Sequence, residues 1–99
     1  MEITKTTDGT KLILAISGKL SAATAEECNA QITDALKESK DIVLDLKDLD
    51  YLASAGLRVF VSTQKALAAE GGSLVLKNVQ DIVREVFEVT GLEDVFTIE

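Results

Sequence analysis

The chain has 99 residues, 46% of them hydrophobic and 27% charged, which suits one soluble globular domain with a modest core. Its formal net charge of −7 argues against nucleic acid or an anionic membrane surface as partner, because phosphates select clusters of Lys and Arg. One cysteine, Cys28, and no histidine leave no intrachain disulfide, no usual structural zinc site and no imidazole base. Only an all-carboxylate Mg²⁺ or Ca²⁺ site stays open on composition. No stretch approaches the roughly 18 apolar residues of a membrane span, and the start, Met1-Glu2-Ile3-Thr4-Lys5, does not read as a signal peptide. A cytoplasmic location without membrane insertion is expected.

In chain order, Glu2 to Thr7 reads as an edge strand and Asp8-Gly9 as a hairpin turn. Lys11 to Ser17 follows as a strand with apolar residues on both faces: Leu12, Leu14 and Ile16 on one, Ile13 and Ala15 on the other. Gly18-Lys19-Leu20-Ser21 reads as a break. The next helix starts either at Ser21 as a cap or at the capping-box pattern Thr24-Ala25-Glu26-Glu27, and runs to about Ser39. Its inner stripe is Ala25, Cys28, Ile32, Ala35 and Leu36. Cys28 is expected to be a small core residue.

Ile42 to Leu46 reads as a central strand, parallel to the one before it through a right-handed crossover. A helix from about Ala55 to Ala69 is expected to turn Leu57, Phe60, Val61, Gln64, Leu67 and Ala68 inward, with Gly71-Gly72 as its stop. Ser73 to Lys77 is a further strand. Val79, Ile82, Val83, Val86 and Phe87 then mark an amphipathic helix ending at Gly91, and Val95 to Ile98 a short edge strand. The order ββαβαβαβ predicts one α/β domain over 1–99. Its mixed, mostly parallel sheet has four to five strands, the first antiparallel, with about three main helices.

The segment Asp48 to Leu57 joins a strand to a helix, and Ser54 stands where the helix needs a cap. A phosphate on Ser54 would be favoured by the positive end of the helix, at the carboxyl edge of the sheet where ligands and partners meet such folds. The small neighbours Ala53, Ala55 and Gly56 would let another protein approach. Equally, Ser54 serves as an ordinary cap among packing residues. Arg58, one turn on, is placed to pair with a phosphate or with a partner's carboxylate, or simply to face solvent. Tyr51 is expected to pack. Asp45, Asp48 and Asp50 suggest a phospho-aspartate or Mg²⁺ site, but Lys5, Thr6 and Thr7 supply no acidic pair after the first strand, so loop capping is the expectation. No glycine-rich loop follows a strand, so no nucleotide cofactor is expected, and no nucleophile–base pair marks an enzyme.

Gly18-Lys19-Leu20, Ile42-Val43-Leu44-Asp45-Leu46, Tyr51-Leu52-Ala53-Ser54-Ala55-Gly56-Leu57-Arg58-Val59, Gly71-Gly72-Ser73-Leu74-Val75-Leu76 and Val89-Thr90-Gly91-Leu92 together resemble the STAS domain. That family comprises bacterial anti-sigma factor antagonists and the cytoplasmic domains of sulfate transporters. The resemblance implies a non-catalytic partner switch. Unphosphorylated, it binds an anti-sigma factor that is itself a serine kinase. Phosphorylated on the serine matching Ser54, it is released, and a serine phosphatase restores it. The contact surface implied is Ser21, Ala53, Ser54, Ala55, Gly56 and Arg58. Two positions depart from the common antagonist pattern: Ala53 replaces an acidic residue before the serine, and Ser21 replaces an Asp after Gly-x-Leu. The alternative these departures favour is a STAS adaptor or scaffold subunit, in a transporter or sensory complex, that is not phosphorylated.

Overall fold

The computed structural model describes every residue from Met1 to Glu99. Its elements are strands β1 (Glu2–Asp8) and β2 (Lys11–Leu20), helix α1 (Ala25–Leu36), strands β3 (Asp41–Asp45) and β4 (Leu49–Leu52), helix α2 (Ser54–Ala69), strand β5 (Ser73–Lys77), helix α3 (Asp81–Thr90), a 3₁₀ turn at Glu93–Val95 and strand β6 (Thr97–Ile98). The sheet runs β1-β2-β3-β5-β6, with β1 antiparallel to β2 and the other neighbours parallel.

The expected α/β architecture with three helices stands, but the sheet has six strands rather than four or five. The added strand is β4, so the order is ββαββαβαβ. It pairs with the last residues of β2, Leu20 opposite Leu52, in the stretch expected to break that strand. Gly18 makes this possible. Its φ of 86° and the register shift between Gly18 and Lys19 turn β2 from β3 onto β4.

The core explains the layers. Leu12, Leu14 and Ile16 of β2, Ile42 and Leu44 of β3, and Leu74 and Leu76 of β5 join one cluster. Cys28 and Ile32 of α1, Leu57, Phe60 and Leu67 of α2, and Val83 and Phe87 of α3 belong to the same cluster. All three helices therefore cover one face. On the other, Ile13, Val43 and Val75 lie in one register row, and only the central Val43 is fully buried.

Helix faces differ in part from expectation. In α2 the buried positions are Gly56, Leu57, Val59, Phe60, Thr63 and Leu67, while Val61 and Gln64 are half-buried and Ala68 is exposed. Thr63 can enter the core because its hydroxyl donates to the Val59 carbonyl at 2.8 Å. In α3, Ile82 is 54% exposed, which narrows the inward stripe to Val83 and Phe87 with Val86 beside them. The α1 stripe is as expected, although the helix ends at Leu36. Burial, with a smaller contribution from the Glu27 charge, pushes the Cys28 thiol up to about 11.

Candidate functional site

The site is built where β2 and β4 end side by side. The Ala53 N–H donates to the Leu20 carbonyl at 2.9 Å, one step beyond the Leu20–Leu52 pair, so Ser21 and Ala53 leave the sheet next to each other. Ser21 is half-buried. Its carbonyl accepts from the N–H groups of Thr24 and Ala25, and its own N–H donates to the Thr24 hydroxyl at 2.9 Å. That hydroxyl in turn donates to the Lys19 carbonyl at 3.0 Å. Thr24 thus ties the β2–α1 turn instead of closing a capping box, and no side chain caps α1.

Ser54 is not the cap of α2. The helix cap is Ala53, extended at φ −85° and ψ 165°, whose carbonyl accepts the first helical bond from the Leu57 N–H at 3.0 Å. Ser54 is the first helical residue and is exposed. No side chain caps this helix, so the Ser54 hydroxyl is not spent on a backbone amide. The first turn also carries no acidic residue. An anion held here would meet unpaired N–H groups and no carboxylate from the same turn.

Gly56, expected at the contact surface, lies beneath it in the structure. It is buried, and a Cβ added there would lie 2.6 Å from Leu20 Cγ and 2.9 Å from Leu52 Cδ1. Its role is to let α2 start hard against the ends of β2 and β4. Ala55 is half-buried and packs on the core, Ala53 is half-buried, and Arg58 is exposed. Tyr51, expected to pack, is 47% exposed on β4.

Ser54 and Arg58 also line an open groove of about 490 Å³ with Leu57, Val61, Ser62 and Lys65 of the same helix and with Thr90 and Leu92. Gly91, left-handed at φ 73°, reverses the chain after α3 and lets the Leu92 N–H reach the Phe87 carbonyl at 3.0 Å, which brings Leu92 to this groove.

The carboxylates have other work. Asp45 Oδ1 accepts from the Lys47 N–H at 3.1 Å and from Asn78 Nδ2 at 2.9 Å, so it holds the turn after β3. Asp48 and Asp50 are exposed. The Gln80 amide donates to the carbonyls of Lys47 and Leu49, binding the start of α3 to the same turn. Neither Thr24 nor Gln80 stood out in the sequence as a support of the site. No helix is long and apolar enough to cross a membrane.

Comparison with known proteins decides the family: the STAS domain model matches residues 2–99. The chain belongs to the STAS domain family. The anti-sigma-B factor antagonist of Bacillus subtilis is 34% identical over 83 residues, which is 84% of this chain and 76% of that protein. BtrV of Bordetella bronchiseptica, provisionally named an anti-sigma factor antagonist, is 40% identical over 88 residues, 88% of this chain and 76% of that protein. Among solved structures, the antagonist SpoIIAA in its unphosphorylated form superposes with a TM-score of 0.83 at 21% identity, covering 99% of this chain and 88% of that one. SpoIIAA in its phosphorylated form gives 0.76 at 20% identity, covering 99% and 91%. At these identities the structures speak for the fold of this STAS domain alone.

Proposed function

We propose that this STAS domain is an anti-sigma factor antagonist. It binds an anti-sigma factor with serine kinase activity while Ser54 is unmodified, and phosphorylation of Ser54 ends the binding. The observation that carries the reading is the placement of Ser54, exposed as the first residue of α2 with its hydroxyl unused, in a chain related to named antagonists. The Ser54 oxygen would attack the γ-phosphorus of ATP held by the partner. The bond to the β-phosphate oxygen breaks, ADP leaves, and the hydroxyl proton passes to a base of the kinase. A serine phosphatase reverses the step with water as the nucleophile. The surface offered to the partner is Ser21, Ala53, Ser54, Ala55 and Arg58, with Gly56 beneath it as support. The role is one of binding, in the cytoplasm, and the chain supplies only an acceptor hydroxyl.

The phosphate separates two energies. In the free domain it lies beside the unpaired amides of α2, where a negative charge is favoured. In the complex its charge of nearly two must be desolvated within a contact surface, which opposes binding. The switch arises from that difference. The test is to mix the domain with the kinase-type anti-sigma factor of the same genome and ATP and to measure intact mass. A single phosphate is expected, absent in Ser54→Ala. Ser54→Ala should keep its affinity for the anti-sigma factor and Ser54→Asp should lose about tenfold or more. A phosphate retained in Ser54→Ala would place the site elsewhere. Ala53 and Ser21 favour a second reading, an adaptor in a transporter or sensory assembly that is never phosphorylated, and a stable complex unaffected by ATP would select it.

A further inference from the structure

The α2 helix has a charge unlike the rest of the molecule. The chain carries 17 acidic residues against 10 basic ones, yet the 16 residues of α2 contain Arg58 and Lys65 and no Asp or Glu. Neither cation is among the four ion pairs, which hold Lys5, Lys37, Lys40 and Lys77 instead. Both line the groove beside Ser54, two turns apart and so about 10 Å along the axis. Leu57, Val61 and Leu92 line the same groove. Val61 has the hydrophobicity of a core residue but sits at this groove, half-buried.

We infer that this groove receives an acidic segment of the partner. One apolar side chain of that segment seats on Leu57, Val61 and Leu92, with carboxylates on Arg58 and Lys65. The occupant is fixed by charge complementarity: the groove presents two unpaired cations around an apolar floor on an otherwise acidic protein. The inference deepens the switch reading and rests on it for the role of the phosphate. Ser54 and Arg58 are four residues apart on one helix face, within reach of each other. A phosphate on Ser54 therefore takes Arg58 for itself and removes one of the partner's two anchors, so release comes from competition inside the domain as well as from repulsion.

The experiment uses the whole ¹⁵N-labelled chain, with phosphoserine installed at position 54 during translation where needed, so that no kinase is involved. One probe is a synthetic amphipathic helical peptide of Leu and Glu, and the other is the same peptide with Lys for Glu. The Glu peptide is expected to shift the amides of Ser54, Arg58, Ser62, Lys65 and Leu92. Its affinity should fall about tenfold in the Arg58→Ala, Lys65→Ala double variant and stay unchanged in Lys11→Ala. Equal affinity for the two peptides, or shifts elsewhere on the surface, overturns the docking site. The phosphate is followed by ³¹P NMR: its second ionisation should occur at lower pH in the parent than in Arg58→Ala. Identical titrations overturn the competition. Neither result bears on whether a kinase modifies Ser54, which intact mass decides.

Discussion

Ser54 and Cys28 show how placement decides what a nucleophilic side chain can do. Both sit near helix starts, but Ser54 is exposed while Cys28 is fully buried in α1 and its thiol is raised to about 11. A thiol held protonated is a poor nucleophile, so Cys28 is a packing residue, as the apolar stripe of α1 implied. The shift makes a stability prediction. In the unfolded chain the thiol ionises near its ordinary value of 9.0, while in the fold it stays neutral to about 11. Between those values the unfolded state binds fewer protons, so stability falls as pH rises. It is fully present below pH 9 and levels off above 11. The loss across the interval is about 3 kcal/mol at most. Urea unfolding of the parent and of Cys28→Ala from pH 8 to 11 checks this. The variant starts less stable because it leaves a small cavity, and its profile should be flatter. Parallel profiles would show that Cys28 does not set the alkaline limb.

At the scale of elements, the junction of β4 and α2 is where reading and structure part. The strands β2, β3 and β5 and all three helices were legible because apolar periodicity marks them. β4 was not. Leu49 and Leu52 both point inward with Asp50 and Tyr51 between them, so four residues show no alternation. Its partner segment on β2 begins at Gly18 and reads as a break. Ser54 was legible as standing at the strand-to-helix junction but not as the first helical residue, because a serine before a helix resembles a cap whether or not its hydroxyl is used. The small residues around it looked alike in sequence, whereas the fold gives Gly56 a packing task. Gly56→Ala forces a methyl to within 2.6 Å of Leu20 Cγ, on a side chain with no exposed surface. Overpacking of about 1–3 kcal/mol outweighs the gain in helix propensity of at most about 1 kcal/mol. A net destabilisation of about 1–2 kcal/mol is expected in urea unfolding. A stabilised variant would show that α2 is free to move off the sheet and that the start of the site is not rigid.

Across the whole molecule the charges do not balance, and their arrangement settles how salt acts. The four ion pairs are Lys5–Glu38, Lys37–Asp34, Lys40–Glu70 and Lys77–Glu99, all on the surface with side chains roughly half exposed or more. Such pairs contribute about 0–1 kcal/mol each and are weakened by screening. Against them stands the self-repulsion of a net charge of −7 on a domain with a radius of gyration of 12.1 Å. At low ionic strength the Debye length is about 30 Å, so the acidic residues repel across the entire fold, and at 1 M it is about 3 Å, so they do not. Pairs at contact distance are screened less than charges spread over the surface, so removing the repulsion outweighs what the pairs lose. The midpoint of unfolding in urea, which is uncharged, should therefore rise between 10 mM and 0.5 M NaCl. Docking of an acidic partner meets both the attraction of Arg58 and Lys65 and the repulsion of the remaining net charge, and salt screens both. A midpoint that fell with salt would mean that the local pairs, rather than the net charge, govern the domain's stability.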